Sequence, residues 1–390
     1  DGNGVRRLST LLASQSDDDP KLLLKCAQAR QRVGDIYQRL GKYDPAISSY
    51  RIAISDYENL AAHTPSNSFG NLSLIKAGLL NGIGSCELML ARQDASRDSH
   101  SEAMNLLNSL SKNEQQLPDV RYERARTHSL MARRLRPGES VTSQQFAESG
   151  GREFARGNDL RPGPGERFAP GERRRPEERL GPGQRFGPNE FRPRPGSQDL
   201  AETRQERFRH FADAIAILEP LTTEAPDVAR FRFLLALCLR ETSQQRNEGI
   251  NAMLNRACKL LEALVVEYPE LPEYRLALAE SYAQAEGRRE RIRPEDMELA
   301  EASLAMAAEH ARQLVEEHPT VPAYTNSLVH ILSRLATSQE RHAQELFGPE
   351  HRTLMAESER NLRSALELQE SLVRREPNVA TFHIWSARFR

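Results

Sequence analysis

The chain has 390 residues and a formal net charge of −1, with 54 Lys and Arg against 55 Asp and Glu. That balance leaves no global pull toward nucleic acid or anionic lipid, so a charge-driven polyanion binder is disfavoured. At 38% hydrophobic and 28% charged residues, apolar content is low for a compact globule, which points to a thin, elongated helical protein with much exposed surface.

Taken in chain order, Val5 to Gln15 reads as the tail of a helix, and the chain opens on Asp1 rather than Met, so a preceding segment is expected. Prolines at Pro65, Pro118, Pro226, Pro269, Pro319 and Pro377 then punctuate the sequence. Five residues before five of them stand Leu60, Leu221, Leu264, Leu314 and Leu372, and twelve before stand Ala53, Ala214, Ala257, Ala307 and Ala365. Pro118 joins the set with Leu110 and Ala103 if three extra residues precede it. Ala and Leu are therefore seven apart, two turns along one helix face. Five residues after four of the prolines comes an aromatic, Phe231, Tyr274, Tyr324 and Phe382. Each proline thus marks a boundary between two helices, because it lacks the N–H a helix interior needs and pushes the preceding residue out of the α region.

Each interval splits at an internal polar turn into a helix A and a helix B. The turns read as Leu40-Gly41-Lys42 in the first unit, Ala91 to Ser99 in the second, Glu286 to Pro294 in the fifth and Phe347-Gly348-Pro349 in the sixth. The intervals are rich in good helix formers and lack alternating β-branched runs. The pattern gives a B tail, six A/B pairs and a lone A helix from about Asn378, roughly fourteen helices in all. No polar capping repeat closes either end.

The first unit carries Gly34 and Tyr37, then Ala46, Tyr50 and Ala53. These five positions resemble the tetratricopeptide repeat, in which small residues let helices A and B approach while aromatics fill the space beside them. Ile250/Leu254/Ala257, Ala300/Leu304/Ala307 and Ser358/Leu362/Ala365 keep the spacing with aliphatics in the aromatic place. Proline spacing exceeds the family's usual ~34 residues, which makes helix B longer. In that detail, and in phrases such as VGDIYQRLGKYDPAISSY and ALELQESLVRREPNVATF, the chain resembles the tandem repeats of planctomycete-type bacterial Ser/Thr kinases. The resemblance implies that a catalytic or sensory module precedes Asp1, with the chain either in the bacterial cytoplasm or on the extracytoplasmic side of a membrane protein.

Periodicity stops from Arg136 to about Leu200. Between Arg152 and Gly196 there are eleven Arg, eight Pro and eight Gly against seven acidic residues, a local charge of +4. Such a stretch buries too little apolar area to offset its ordering entropy, so it reads as a disordered spacer. Arg interleaved with Phe154, Phe168, Phe186 and Phe191 leaves RNA or an acidic surface as a lesser alternative.

The longest strongly apolar stretch, Phe231 to Leu239, contains Arg232 and falls well short of the ~20 residues a membrane span needs. Cys26, Cys86, Cys238 and Cys258 have no C-x-x-C spacing and read as small apolar helix residues, with Cys238 and Cys258 able to meet across adjacent helices. His310 and His318 read as solvated or satisfied side chains. Gly82-Ile83-Gly84 follows no strand, which favours close helix packing over a nucleotide loop. Glu286 to Arg293 reads as a solvated charge run. Signatures of a kinase are missing. On the family register, the face that binds peptide carboxylates in some relatives would show Gln28, Gln31, Asp35 and Gln38, and Asp35 would repel a carboxylate.

The sequence therefore predicts an all-α protein, a tetratricopeptide-like right-handed solenoid of antiparallel helix pairs, divided as 1–136, an insert at 137–200, and 201–390. No catalytic, cofactor-binding or metal-binding residue is assigned, and no cofactor. The expected role is a non-catalytic scaffold for a protein or peptide partner, or the regulatory region of a larger signalling protein, with nucleic acid disfavoured.

Overall fold

The computed structural model describes residues 20–63, 71–135, 197–243, 250–286 and 294–375. All regular structure among them is helical: α1 (Pro20–Arg39), α2 (Tyr43–His63), α3 (Leu72–Met89), α4 (Gln93–Asn108), a 3-10 turn (Glu114–Gln116), α5 (Pro118–Arg134), α6 (Ser197–Glu224), α7 (Ala229–Thr242), α8 (Ile250–Glu267), α9 (Pro272–Glu286), α10 (Pro294–Glu317), α11 (Pro322–Glu345) and α12 (Pro349–Arg375). These are the six predicted pairs, A odd and B even. The stretches 5–15 and 378–390, the charge run at 287–293 and the insert up to residue 196 lie outside the described residues.

The chain divides into two compact units, 1–134 with 207–390, and 135–206. Within the larger one, successive helices pack side by side, and each odd-numbered helix also touches the next odd-numbered one: α1 with α3, α3 with α5, α5 with α7, α7 with α9, and α9 with α11. The odd helices form one layer and the even helices back it. Of the smaller unit, Leu135 and the opening turns of α6 are described.

Local chemistry sets the boundaries. Three of the predicted boundary prolines sit two residues beyond a helix end, after Glu224, Glu267 and Glu317. Six of the twelve helices begin on a proline, Pro118 among them, where the missing N–H would be unpaired in any case. Asn71 caps α3 by accepting from the Leu74 N–H at 3.1 Å. Ser111 and Glu114 cap each other reciprocally, Ser111 N donating to Glu114 Oε2 at 2.9 Å and Glu114 N to Ser111 Oγ at 3.3 Å. That 3-10 turn accommodates the three extra residues before Pro118.

The predicted lattice is the core. Ala53, Ala103, Ala214, Ala257, Ala307 and Ala365 are all fully buried, as are Leu60, Leu221, Leu264, Leu314 and Leu372. Leu110 departs from it: α4 ends at Asn108, one turn early, so Leu110 lies past the helix and is half-buried while Leu107 is fully buried. Leu362 departs too, at 36% exposed. The second turn is also shorter than expected. Ala91 takes a left-handed φ of 59° and α4 starts at Gln93, so the polar run 93–99 is helix, with Ser96 and Ser99 buried in it.

Three apolar clusters follow one another along the chain, and odd helices are shared between them. Val120 of α5 belongs to the first and Ala125 and Ala132 to the second, while Ala277 and Leu278 of α9 belong to the second and Ala279 and Ala283 to the third. The core is thus strung from pair to pair instead of gathered at one centre.

Candidate functional site

In the first unit the ring of Tyr50 lies between two glycines. A Cβ on Gly34 of α1 would come within 2.5 Å of it, and one on Gly82 of α3 within 3.1 Å. Hydrogen at Gly34 is what lets α1 close over the ring, and Gly82 leaves α3 in tight contact with its other edge. The buried Tyr50 hydroxyl points toward α1, donating to Asp35 Oδ1 at 2.8 Å with Gln38 Oε1 2.9 Å away, and Tyr57 donates to Gln31 Oε1 at 3.4 Å. Three of the four residues expected on a peptide-binding face therefore meet tyrosines of α2, leaving Gln28 exposed.

The second unit repeats this geometry with histidine. Gly84 stands sixteen residues before His100, as Gly34 stands before Tyr50, and a Cβ on Gly84 would lie 2.6 Å from the ring. His100 is fully buried, its Nδ1 3.1 Å from Asn81 Oδ1. Asn81 donates in turn to Glu123 Oε1 at 2.7 Å and Thr127 Oγ1 at 2.8 Å, and Arg126 pairs with Glu123 at 2.9 Å. Burial lowers the His100 pKa to about 4, with Arg126 and Arg134 acting in the same direction. The ring is neutral, and the network ties α3, α4 and α5. Gly82 and Gly84 are packing glycines, as their setting in the sequence suggests.

Farther along, ion pairs cross between helices. Arg207 of α6 meets Glu241 of α7 at 2.8 Å, and Arg240 meets Glu280 of α9 at 2.7 Å. Arg207 and Glu241 are both almost wholly buried. A second register recurs: Arg232 is bidentate to Glu267, at 2.7 and 2.6 Å, and Arg275 donates to both oxygens of Glu317 at 2.8 Å. Each arginine lies six residues after one boundary proline and each glutamate two before the next. Aromatics bridge the same odd helices, Tyr122 with Phe231 at 5.5 Å and Phe233 with Tyr274 at 4.8 Å between ring centroids.

Between α5 and α6 the structure gathers three potential ligands that the sequence does not connect. His128 Nδ1 lies 3.1 Å from His210 Nδ1 and 3.9 Å from Asp213 Oδ2. Burial lowers the His128 pKa to about 4; His210, Arg124 and Arg209 act the same way and Asp213 opposes them. His210-x-x-Asp213 is one turn of α6, but His128 is 82 residues from His210, so no local spacing announces the group. His310 stacks on Tyr282 but keeps a buried Nδ1 without a hydrogen-bond partner, and His318 meets the edge of Tyr324. All four cysteines are buried and free, so Cys238 and Cys258 are not joined. Burial pushes the Cys86 and Cys238 thiols up to about 12 and Cys258 to about 11, which leaves them unreactive thiols at neutral pH.

No protein-family profile and no curated protein matches the chain. Among solved structures it is similar to the S. pombe nuclear import adaptor Nro1, at 11% identity over 95% of this chain and 100% of that one, with a TM-score of 0.37. A second structure, of Nro1 described as a hypoxic regulator of sterol synthesis and nuclear import adaptor, covers 100% and 99% at 11% identity and a TM-score of 0.36. Yeast Tom70 covers 90% and 85% at 12% identity and a TM-score of 0.17. At these TM-scores the likeness adds nothing to what the helix packing itself shows: an all-α array of antiparallel, tetratricopeptide-like helix pairs.

Proposed function

We propose that the chain is a non-catalytic scaffold whose odd-helix layer binds an extended or helical segment of a partner protein. The observation that carries this reading is a repeated buried lattice beneath an exposed face that does not repeat. Ala and Leu recur from pair to pair inside, while α1 exposes Ile36, the turn after it Leu40, and α3 Met89. Phe347, 88% exposed just beyond α11, extends the same turn-edge character. A constant core with a variable surface lets one architecture present a specific face.

Selection of displayed peptides on the native chain tests the reading. Peptides enriched on it should fail to bind an Ile36→Glu, Leu40→Glu, Met89→Glu variant that keeps its helical spectrum and melting temperature. Equal recovery on both would sink it.

The finer reading, a regulatory part of a larger bacterial signalling protein, is supported by the kinase-like repeat phrases alone. The reading frame upstream of Asp1 tests that directly. Because α6 begins at Ser197, inside the insert expected at 137–200, residues 137–196 serve as a spacer in this proposal, and RNA binding at low salt that vanishes when they are deleted would favour the nucleic-acid alternative.

A further inference from the structure

The geometry points to a divalent transition-metal site, zinc in the first instance, built by His128 of α5 with His210 and Asp213 of α6. The ligand atoms all lie within 4.8 Å of one another. Two nitrogens bound tetrahedrally to zinc at 2.0–2.1 Å stand ~3.3 Å apart, and the two Nδ1 atoms are already 3.1 Å apart. At that separation both cannot carry protons on the line between them, so an ion entering there takes the two lone pairs while each ring keeps its proton on Nε2. Asp213, with its side chain 46% exposed, is one helical turn from His210 and supplies the negative oxygen from the rim.

Two imidazoles and one carboxylate are the donors of zinc and its neighbours, not of magnesium or calcium. Arg124 and Arg209 bring positive charge close by, so micromolar affinity is expected rather than the tighter binding of a sulfur-rich structural site. The site would pin α5 to α6 across a long sequence separation, where a clip restricts the unfolded chain most. Three protein ligands leave one coordination position for water or a partner's side chain.

Isothermal titration of the metal-stripped full chain with zinc chloride tests the site, with magnesium chloride as the contrasting ion. One equivalent should bind and raise the melting temperature, with no heat from magnesium. His128→Gln and the rim substitution Asp213→Asn, which leaves the core intact, should each weaken zinc at least ~10-fold, while His318→Gln should not. Zinc binding of native strength in both ligand variants, or none at hundred-micromolar zinc, would overturn the assignment.

Discussion

His100 packs on Gly84 as Tyr50 packs on Gly34, the ring coming sixteen residues after the glycine in both units and meeting the place where a Cβ would stand. The same slot is therefore filled once by a phenol and once by an imidazole, both buried.

Gly84→Ala should destabilise the chain. The new methyl would lie 2.6–2.9 Å from three ring atoms of a fully buried side chain held by Asn81. Overpacking of ~1–3 kcal/mol outweighs the ~1 kcal/mol that alanine gains over glycine in a helix. Gly78→Ala, six residues earlier on α3, meets nothing nearer than 3.8 Å and should stabilise by ~0.5–1 kcal/mol. Urea melts of the two variants should move in opposite directions.

Acid should weaken the fold through His100. Unfolding releases the ring from a pKa of about 4 to its ordinary 6.5, so the unfolded chain binds the extra proton between those values. Stability accordingly falls as pH drops from 6.5 to 4, by on the order of 1.4 kcal/mol per unit, and this contribution levels off below 4. Urea midpoints at pH 7.5 and 5 should differ less for His100→Gln than for the native chain. An unchanged difference would remove His100 as the source.

Leu264→Ala should cost ~2–5 kcal/mol, because Leu264 is fully buried in the second apolar cluster. Val266, two residues on and 81% exposed, should tolerate alanine within ~0.5 kcal/mol. Thermal melts by circular dichroism give the ranking.

Glu241→Gln should be among the most damaging polar changes. It strips the charge from the partner of Arg207, whose side chain is only 6% exposed, and breaking such a pair costs ~3–5 kcal/mol. Arg363→Ala removes an exposed pair with Glu359 and should shift the chemical-denaturation midpoint by less than the scatter between replicates. Reversed effects would mean that α6 does not pack on α7 as described.

Much of this architecture is legible in the sequence because its causes are short-range. Helix type follows from composition and a seven-residue spacing, and boundaries follow from prolines that cannot continue a helix. Register of the buried face follows as well, since Ala and Leu two turns apart fall on one stripe. Even the reading of Gly82 and Gly84 as packing residues needed only their place in a helical stretch. Where the reading slipped, at Leu110 and at the turn after α3, a single turn of helix ended or began against the polar pattern.

What the tertiary structure alone decided is which stripes meet. The contacts of Asn81 with His100 and Glu123, of Arg207 with Glu241, and of His128 with His210 join side chains 19 to 82 residues apart. Each depends on how far one helix is rotated and slid against another. Periodicity along a single helix fixes which face is buried, but it leaves that rotation and the partner open, because they are set by the fit of whole helix surfaces and not by any local run of residues.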